Sequence, residues 1–500
     1  MVQKTNSSNQ ALYSAYKAKD ARFDGKFFIG ISTTGIYCRP ICRAKQPQIR
    51  NCNFYTTAAE AEQAGYRPCL LCRPELAAPG TASVDAKASL ALRAAKLLEE
   101  NCGNGQNIEE LAKRLGCTAR HLRRTFISEY KVSPIQYLQT CRLLLAKNLL
   151  TDTKLSVLDV AMAAGFGSLR RFNDLFKKRY NFSPTSLRKK TVEVRSTSSD
   201  VTLALGYRPP YQWEQILGFL DHRAIPGVEV VRDNKYMRTV QIAVEDKNGE
   251  RKYLRGWVQV GNSPVQNALK VTISSTLLSA LPQILAKIRH LFDLYCAPEI
   301  IDEALASLND IRTNLCVSGI RLPGCFDPFE MSVRAVLGQQ ITVKAARTLA
   351  ERLAKAYGTP LQTGIEGLNH IFPSPDKIIE LDTPISEKLG SLGIISTRAR
   401  TILALAKAFD QKNIDFELGA QPELEIKRLL TLPGIGNWTA NYIAMRTMGW
   451  TDAFLETDAG IKKALSPLTE KEMLALSEKW RPWRSYATIN LWNSLYSKLN

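Results

Sequence analysis

Residues 37–45 read YCRPICRAK: two cysteines separated by three residues and set among Arg39, Arg43 and Lys45. Cysteines this close commonly share a metal ion. A second pair, Cys69 and Cys72, stands in RPCLLCRP at 67–74. Two knuckles, each supplying two thiolates, are what a tetrahedral zinc site requires. Zinc with four thiolates is net negative, and a zinc-held thiolate remains nucleophilic. Arg39, Arg43, Lys45, Arg67 and Arg73 would offset that charge and attract phosphates, so the segment can present sulfur to a DNA backbone. Spacing alone also permits a purely structural zinc ribbon. Cys52 lies between the pairs without a partner at ligand spacing and reads as a core thiol.

Five hundred residues exceed a single core and imply three or four domains. The net charge of +20 is uneven: residues 1–200 hold 32 Lys and Arg against 16 Asp and Glu, leaving 35 against 31 in residues 201–500. A basic half joined to a near-neutral half points to a polyanionic partner, above all nucleic acid. The opening MVQKTNSSNQ has no signal-peptide core, and no apolar run approaches the ~20 residues of a membrane span. The chain therefore reads as cytosolic, with its 11 cysteines as thiols or metal ligands.

AAPGTASVD (77–85) and TVEVRSTSSD (191–200) read as linkers. Between them, 86–190 is expected to be helical and duplicated at an offset of 50 residues, YKVSP at 130–134 answering YNFSP at 180–184 and Phe126 answering Phe176. IEELAKRLGCTARHLRRTF (108–126) gives a helix, a turn at Gly116 and a second helix with Arg120, Arg123 and Arg124. LSVLDVAMAAGFGSLRRFNDLFKK (155–178) repeats the plan, with a turn at Gly165–Gly167 and a helix bearing Arg170, Arg171 and Asn173. Such pairs form helix-turn-helix units whose second helix enters the major groove. From 201 the pattern alternates, with strands at 239–245 and 252–260 joined by an Asn-Gly turn in DKNGE (246–250). From about 280 the helical period returns. The expected architecture is multidomain α+β: a zinc domain (1–76), a tandem helix-turn-helix domain (86–190), a small antiparallel β-rich domain (201–285) and an all-α domain (286–500).

TTGIYCRPICRAK with GYRPCLLCRP resembles the N-terminal domain of the Ada-type regulators of the alkylation response. The resemblance implies that Cys38 irreversibly takes a methyl group from a DNA methylphosphotriester, with Cys42, Cys69 and Cys72 completing the Zn²⁺ site. Thr34, Arg39, Arg43, Lys45 and Arg67 are the candidates for holding the backbone. The tandem helices, including GFGSLRRFNDLFKKRYNFSP, resemble the AraC-type DNA-binding domain. The implied role is operator binding, strengthened once Cys38 is methylated, with RNA polymerase as a further partner and the chain acting as a monomer. Those regulators often end in a second methyltransferase with a Pro-Cys-His-Arg box. The sequence has none, so repair of alkylated guanine oxygen is not expected.

LPGIGNWTANYIAMR (432–446) places Gly434 and Gly436 where backbone N–H groups could form a nest for phosphate or a bridging cation. FLETDAGIKKAL (454–465) places Asp458 at the start of a helix, a position that also suits an ordinary N-cap. With YRPPYQWEQILGFL, LPGCFDPFEMSVRAVLGQQIT and EKWRPWRSYATINLW, these stretches resemble the class II DNA-3-methyladenine glycosylases of the helix-hairpin-helix superfamily. That resemblance implies Asp458 as the catalytic carboxylate, Gly434 and Gly436 on the DNA backbone and Gln340 filling the gap left by the extruded nucleotide. It places Phe219, Trp438, Tyr442 and Trp492 around the base. An N-alkylated purine is a cationic leaving group needing little acid help, and a carboxylate stabilises the oxocarbenium-like sugar that remains. Trp438 stands where strand-cutting relatives keep a nucleophilic lysine, and no cysteine lies beyond Cys325 to build an iron–sulfur cluster. The expected product is an abasic site. The alternative is a methylation-responsive transcription factor whose C-terminal half binds DNA without excising bases.

Overall fold

The short apolar run Phe28–Ile31 is buried along its whole length and lies at the centre of a four-stranded sheet. The structure is a computed structural model describing residues 2–78, 86–100, 107–190, 200–245, 251–381, 384–416 and 420–496. The sheet order is Cys52–Tyr55, Phe28–Ile31, Ile36–Cys38, Arg67–Pro68, with only the last pairing parallel. Gly30 has no side chain because a Cβ there would meet the Tyr55 ring at 2.8 Å and the Tyr66 ring at 2.9 Å. Tyr16, from the helix Val2–Lys17, joins Phe27, Ile29, Ile31, Cys38, Cys42, Cys52 and Cys69 in one apolar cluster.

The expected duplication is present. Ile108–Arg114 and Ala119–Tyr130 form the first helix pair, Val157–Ala163 and Leu169–Tyr180 the second. The intervening turns use Gly116 at φ +70° and Gly165 at φ +83°, the left-handed region that favours glycine. Thr118 and Ser168 cap the two second helices, accepting from the N–H groups of His121 and Arg171. The repeated Ser-Pro dipeptide also has a structural origin: Ser133 caps Pro134–Asp152, and Pro184 starts the helix Pro184–Lys190. Phe126 stacks on Tyr130, and Phe176 meets Tyr180 edge-on, as corresponding core pairs.

The chain divides into two compact units: 1–209 with 263–286 and 294–296, and 210–262 with 287–293 and 297–500. The segment expected as a separate β domain contributes to both. In the first unit Val201–Gly206 pairs antiparallel with Ala268–Ile273. In the second, Glu229–Arg232 and Lys235–Glu245 form an antiparallel ladder continued by Arg251–Ser263. The expected Asn-Gly turn at 246–250 lies outside the described residues, as do 79–85 and 191–199 of the two linkers. The second unit is otherwise helical, apart from a two-residue ladder between Thr359–Pro360 and His370–Ile371. Its centre is Pro328–Leu337, where Phe329, Met331, Val333, Val336 and Leu337 are all buried. Each contributes about 1.5–3 kcal/mol of transfer free energy. A helix buried on nearly every side is enclosed by others, and Ser396–Asp410 and Asn437–Thr447 pack on it. Among the described residues no helix is long and apolar enough to cross a membrane.

Candidate functional sites

The parallel pairing of Ile36–Cys38 with Arg67–Pro68 builds the first site. Its register sets Tyr37 opposite Pro68, and the Cys69 N–H donates to the Tyr37 carbonyl at 3.0 Å. Cys38 and Cys69 are thereby brought together at the ends of neighbouring strands, each carrying its knuckle partner. The four sulfurs of Cys38, Cys42, Cys69 and Cys72 lie within 4.8 Å of one another. Tetrahedral zinc with Zn–S bonds of ~2.3 Å needs sulfurs about 3.8 Å apart, so the set fits Zn²⁺. Cys72 is the most exposed of the four and accepts the Arg39 backbone N–H at 3.3 Å. Cys52 stays outside the group, with its thiol directed to the Gln48 carbonyl.

The second site is a cavity of about 270 Å³ in the second unit. Trp438, Tyr442 and Trp492 line it together with Asp458 and Gly460. Trp438 and Tyr442 stack at 5.1 Å between centroids because they lie one turn apart on Asn437–Thr447, and Trp492 closes against Tyr442 at 63°. Asp458 is the N-cap of Ala459–Leu465. Its Oδ1 accepts from the Ile461 N–H at 3.0 Å and from Trp492 Nε1 at 2.9 Å. Neither bond uses Oδ2. The helix N-terminus and the indole thus hold the carboxylate in one orientation. The cap and the reactive-group readings of Asp458 describe the same geometry.

The glycine hairpin immediately precedes Asn437–Thr447 in the chain. Gly434 adopts φ +79°, and a Cβ there would fall 2.2 Å from Thr401 Oγ1. Gly436 caps Asn437–Thr447 and faces open space. Gln339 Nε2 binds the Gly434 carbonyl at 2.9 Å and Thr439 Oγ1 at 3.0 Å. The next residue, Gln340, is exposed and held at φ +54°.

Four family descriptions match the chain in sequence. They are the metal binding domain of Ada over 11–75, a helix-turn-helix domain over 111–190, the AlkA N-terminal domain over 202–327, and the HhH-GPD superfamily base excision DNA repair protein over 333–474. The chain is 36% identical over 499 residues to the probable bifunctional transcriptional activator/DNA repair enzyme AlkA of Mycobacterium tuberculosis, covering 98% of this chain and 97% of that protein. The chain belongs to this family. It is also 37% identical to DNA-3-methyladenine glycosylase 2 of Escherichia coli, over 58% of this chain and 95% of that one. To the Escherichia coli enzyme named Ada it is 33% identical, over 28% of this chain and 38% of that one.

Within this family member, most of the expected contact residues are accessible. Thr34, Arg43 and Lys45 are exposed, as are Arg120, Arg123, Arg124, Arg170 and Arg171, while Asn173 is half-buried. Arg123 pairs with Glu109 at 2.9 Å. Arg67 is half-buried, with its guanidinium over the Phe182 ring. Two expectations need correction. Arg39 is only 4% exposed: it forms a two-pronged ion pair with Asp24 and donates to the Cys72 carbonyl at 3.1 Å. Its charge is consumed internally, so it braces the knuckle instead of meeting a phosphate. Phe219 lies behind Trp492, stacked on it at 6.4 Å, and does not line the cavity. Its ring is covered by the guanidiniums of Arg223 at 3.8 Å and Arg446 at 4.9 Å.

Among the cavity residues that escaped the sequence reading, Gly460 and Arg446 bear directly on the carboxylate and its aromatic wall. A Cβ on Gly460 would lie 3.0 Å from both Asp458 Oδ1 and Trp492 Cδ1, so glycine makes room for that hydrogen bond. Its proximity to Asp458 in DAG was the available signal. Arg446, buried one turn beyond Tyr442, donates to the Tyr442 hydroxyl at 2.9 Å, to the Pro323 carbonyl at 2.6 Å and to the Gly324 carbonyl at 3.0 Å.

Proposed function

We propose that the chain senses methylated DNA, regulates transcription and excises alkylated bases, and that its glycosylase half is monofunctional. The observation that carries the excision reading is Asp458, held on the wall of an aromatic cavity by Trp492 and a helix N-terminus. A base flipped from the duplex would stack among Trp438, Tyr442 and Trp492. As the glycosidic bond breaks, the carboxylate of Asp458 faces the developing positive charge on the sugar while water attacks. Tyr442 and Trp438 offer no amine for a covalent sugar adduct, so the product is an abasic site.

At the sulfur centre, Zn²⁺ held by Cys38, Cys42, Cys69 and Cys72 would lower the thiol pKa values and keep the four ligands as thiolates. The Cys38 sulfur attacks the methyl carbon of a methylphosphotriester. A C–S bond forms, the C–O bond breaks, and its electron pair leaves on the phosphodiester oxygen. One negative charge is lost from the centre. Repulsion of nearby phosphates then falls by ~1 kcal/mol or more where solvent is partly excluded. Arg43 and Lys45 are the exposed cations available to the backbone. The two helix-turn-helix units would read the operator with Arg120, Arg124, Arg170 and Arg171. As an activator the chain would engage RNA polymerase, acting as a monomer in the cytoplasm.

The deciding experiment compares the full-length wild type with Asp458→Asn for release of methylated adenine from alkylated duplex. The variant should lose roughly 10²–10³-fold in rate, the scale for removing one electrostatic group from an active site. No release by the wild type would leave only DNA binding for this half. Peptide mapping after exposure to methylated DNA should place one methyl on Cys38. A methyl on the more exposed Cys72 instead would overturn the assignment of the acceptor.

A further inference from the structure

Glu62 lies in the helix Ala58–Gln63 and is 2% exposed. It belongs neither to the sulfur centre nor to the recognition surfaces. Its Oε1 accepts the hydroxyls of Tyr37 at 3.1 Å and Tyr180 at 3.2 Å, and its Oε2 accepts that of Thr140 at 3.1 Å. Its backbone carbonyl accepts from the Arg179 guanidinium at 2.9 Å. These donors come from the strand Ile36–Cys38, the helix Pro134–Asp152 and the second recognition helix Leu169–Tyr180. Tyr37 is the chain neighbour of Cys38. Tyr180 and Arg179 end the helix that exposes Arg170 and Arg171.

The surrounding contacts make this a built joint. Lys147, fully buried, pairs with Glu75 at 2.6 Å, and Arg73 pairs with Asp152 at 2.8 Å. Gln136 donates to Gln63 at 3.0 Å. A buried carboxylate is costly to desolvate, and an apolar residue would serve mere packing at least as well. What a carboxylate adds is direction, because three hydroxyls from three elements must converge on two oxygens.

We propose that Glu62 is a positioning residue that locks the methyl-accepting strand to the second recognition helix, so that methylation at Cys38 is felt as operator affinity. The inference rests on the methyl-transfer and operator-binding reading above. Losing one charge at the sulfurs affects phosphates only within a Debye length of ~8 Å. A sensor swinging on a tether would spend little time that close to the DNA gripped by the recognition helix. A sensor fixed to that helix acts at high effective concentration.

The test uses full-length wild type, Glu62→Gln, Glu62→Leu and Tyr180→Phe. The probe is a duplex selected in vitro with the methylated wild type. Methyl uptake from methylated DNA is followed by intact mass, and duplex affinity is measured before and after uptake at one salt concentration. We expect all variants to take up methyl within twofold of wild type, while the affinity ratio between methylated and unmethylated forms falls at least fivefold toward one. Tyr180→Phe removes a single hydroxyl and keeps the packing, so it carries the test if a Glu62 variant does not fold. An undiminished ratio in the folded variants overturns the inference. Absence of methyl uptake by the wild type overturns the underlying reading instead, and this inference falls with it.

Discussion

Replacing Gly460 with alanine sets helix stability against site geometry. Gly460 is the second residue of Ala459–Leu465, and alanine there favours the helix by up to ~1 kcal/mol. The new Cβ would stand 3.0 Å from Asp458 Oδ1, 3.0 Å from Trp492 Cδ1 and 3.2 Å from Trp492 Nε1. Carbon contacts normally settle near ~3.5–4.0 Å, so the carboxylate or the indole must move by about half an ångström. That movement stretches the 2.9 Å bond between them. A hydrogen bond to a charged group contributes roughly 1.5–3 kcal/mol, and weakening it would offset most of the helix gain. Stability should therefore change by less than about 1.5 kcal/mol in either direction. Excision responds differently, because a group acting through its position loses up to about 10²-fold for a shift near 1 Å. Single-turnover excision of methylated adenine from duplex, with thermal melting alongside, separates the two effects. We expect a rate loss of ten- to a hundredfold with little change in melting. A wild-type rate in a well-folded variant would refute the claim that the Asp458–Trp492 contact positions the carboxylate.

Gly434→Ala should be destabilising outright. A left-handed backbone costs an L-residue roughly 1–2 kcal/mol, and the collision with Thr401 Oγ1 adds to it. Thr401→Ala in the same chain should recover part of the loss of denaturant midpoint, and an undisturbed single variant would contradict the close approach. Glu62 makes stability pH-dependent: burial, opposed by the Tyr37, Thr140 and Tyr180 hydroxyls and by Arg179, pushes its carboxyl up to about 7. Because the fold favours the protonated form, this contribution is complete below the ordinary carboxyl value near 4.5 and is lost as pH rises through 7. It amounts to about 3 kcal/mol. The stability difference between wild type and Glu62→Gln should fall by that order between pH 4.5 and 7, and parallel pH curves would contradict it.

The features legible in the sequence were those set by local spacing. Cys38, Cys42, Cys69 and Cys72 declare themselves because a knuckle is a property of three or four consecutive residues. Gly116, Gly165 and the repeated Ser-Pro mark turns and caps for the same reason. Asp458 was legible as a helix cap and, by resemblance, as a reactive carboxylate, but not the indole that holds it 34 residues away. Arg39 reads as one more cation beside a thiol until Asp24 is seen across from it. Phe219 reads as a pocket ring until two guanidiniums are found on its face. Glu62 gave no signal at all, since its hydroxyl partners lie 25, 78 and 118 residues away. Charge is legible along a chain; what neutralises it depends on the fold.

Those guanidiniums also alter how the cavity must select its substrate. Arg446 donates to a phenol and two carbonyls, none of them a carboxylate, and Arg223, Arg334 and Arg347 share the lining. The field is visible at Tyr442, where burial favours the neutral phenol yet Arg446, Arg223 and Arg334 outweigh it and hold its pKa below the ordinary value. Arg334 is paired with Glu229 and Glu330. A cationic base entering such a site gains stacking on Trp438 and Trp492 but meets the positive charge of Arg446, Arg223 and Arg347, with Asp458 as the anion on the lining. Binding should therefore discriminate weakly between a cationic base and a neutral one of similar shape. The preference would arise in the chemical step, where a cationic base leaves more readily. Duplexes carrying 7-methylguanine and hypoxanthine should bind within about fivefold of each other, because a gain of ~1 kcal/mol from cation–π contact is offset by repulsion. Their single-turnover rates should differ far more than their affinities. A binding preference for the cationic base above tenfold, with equal rates, would show that the aromatic faces dominate and that the arginines are electrostatically silent.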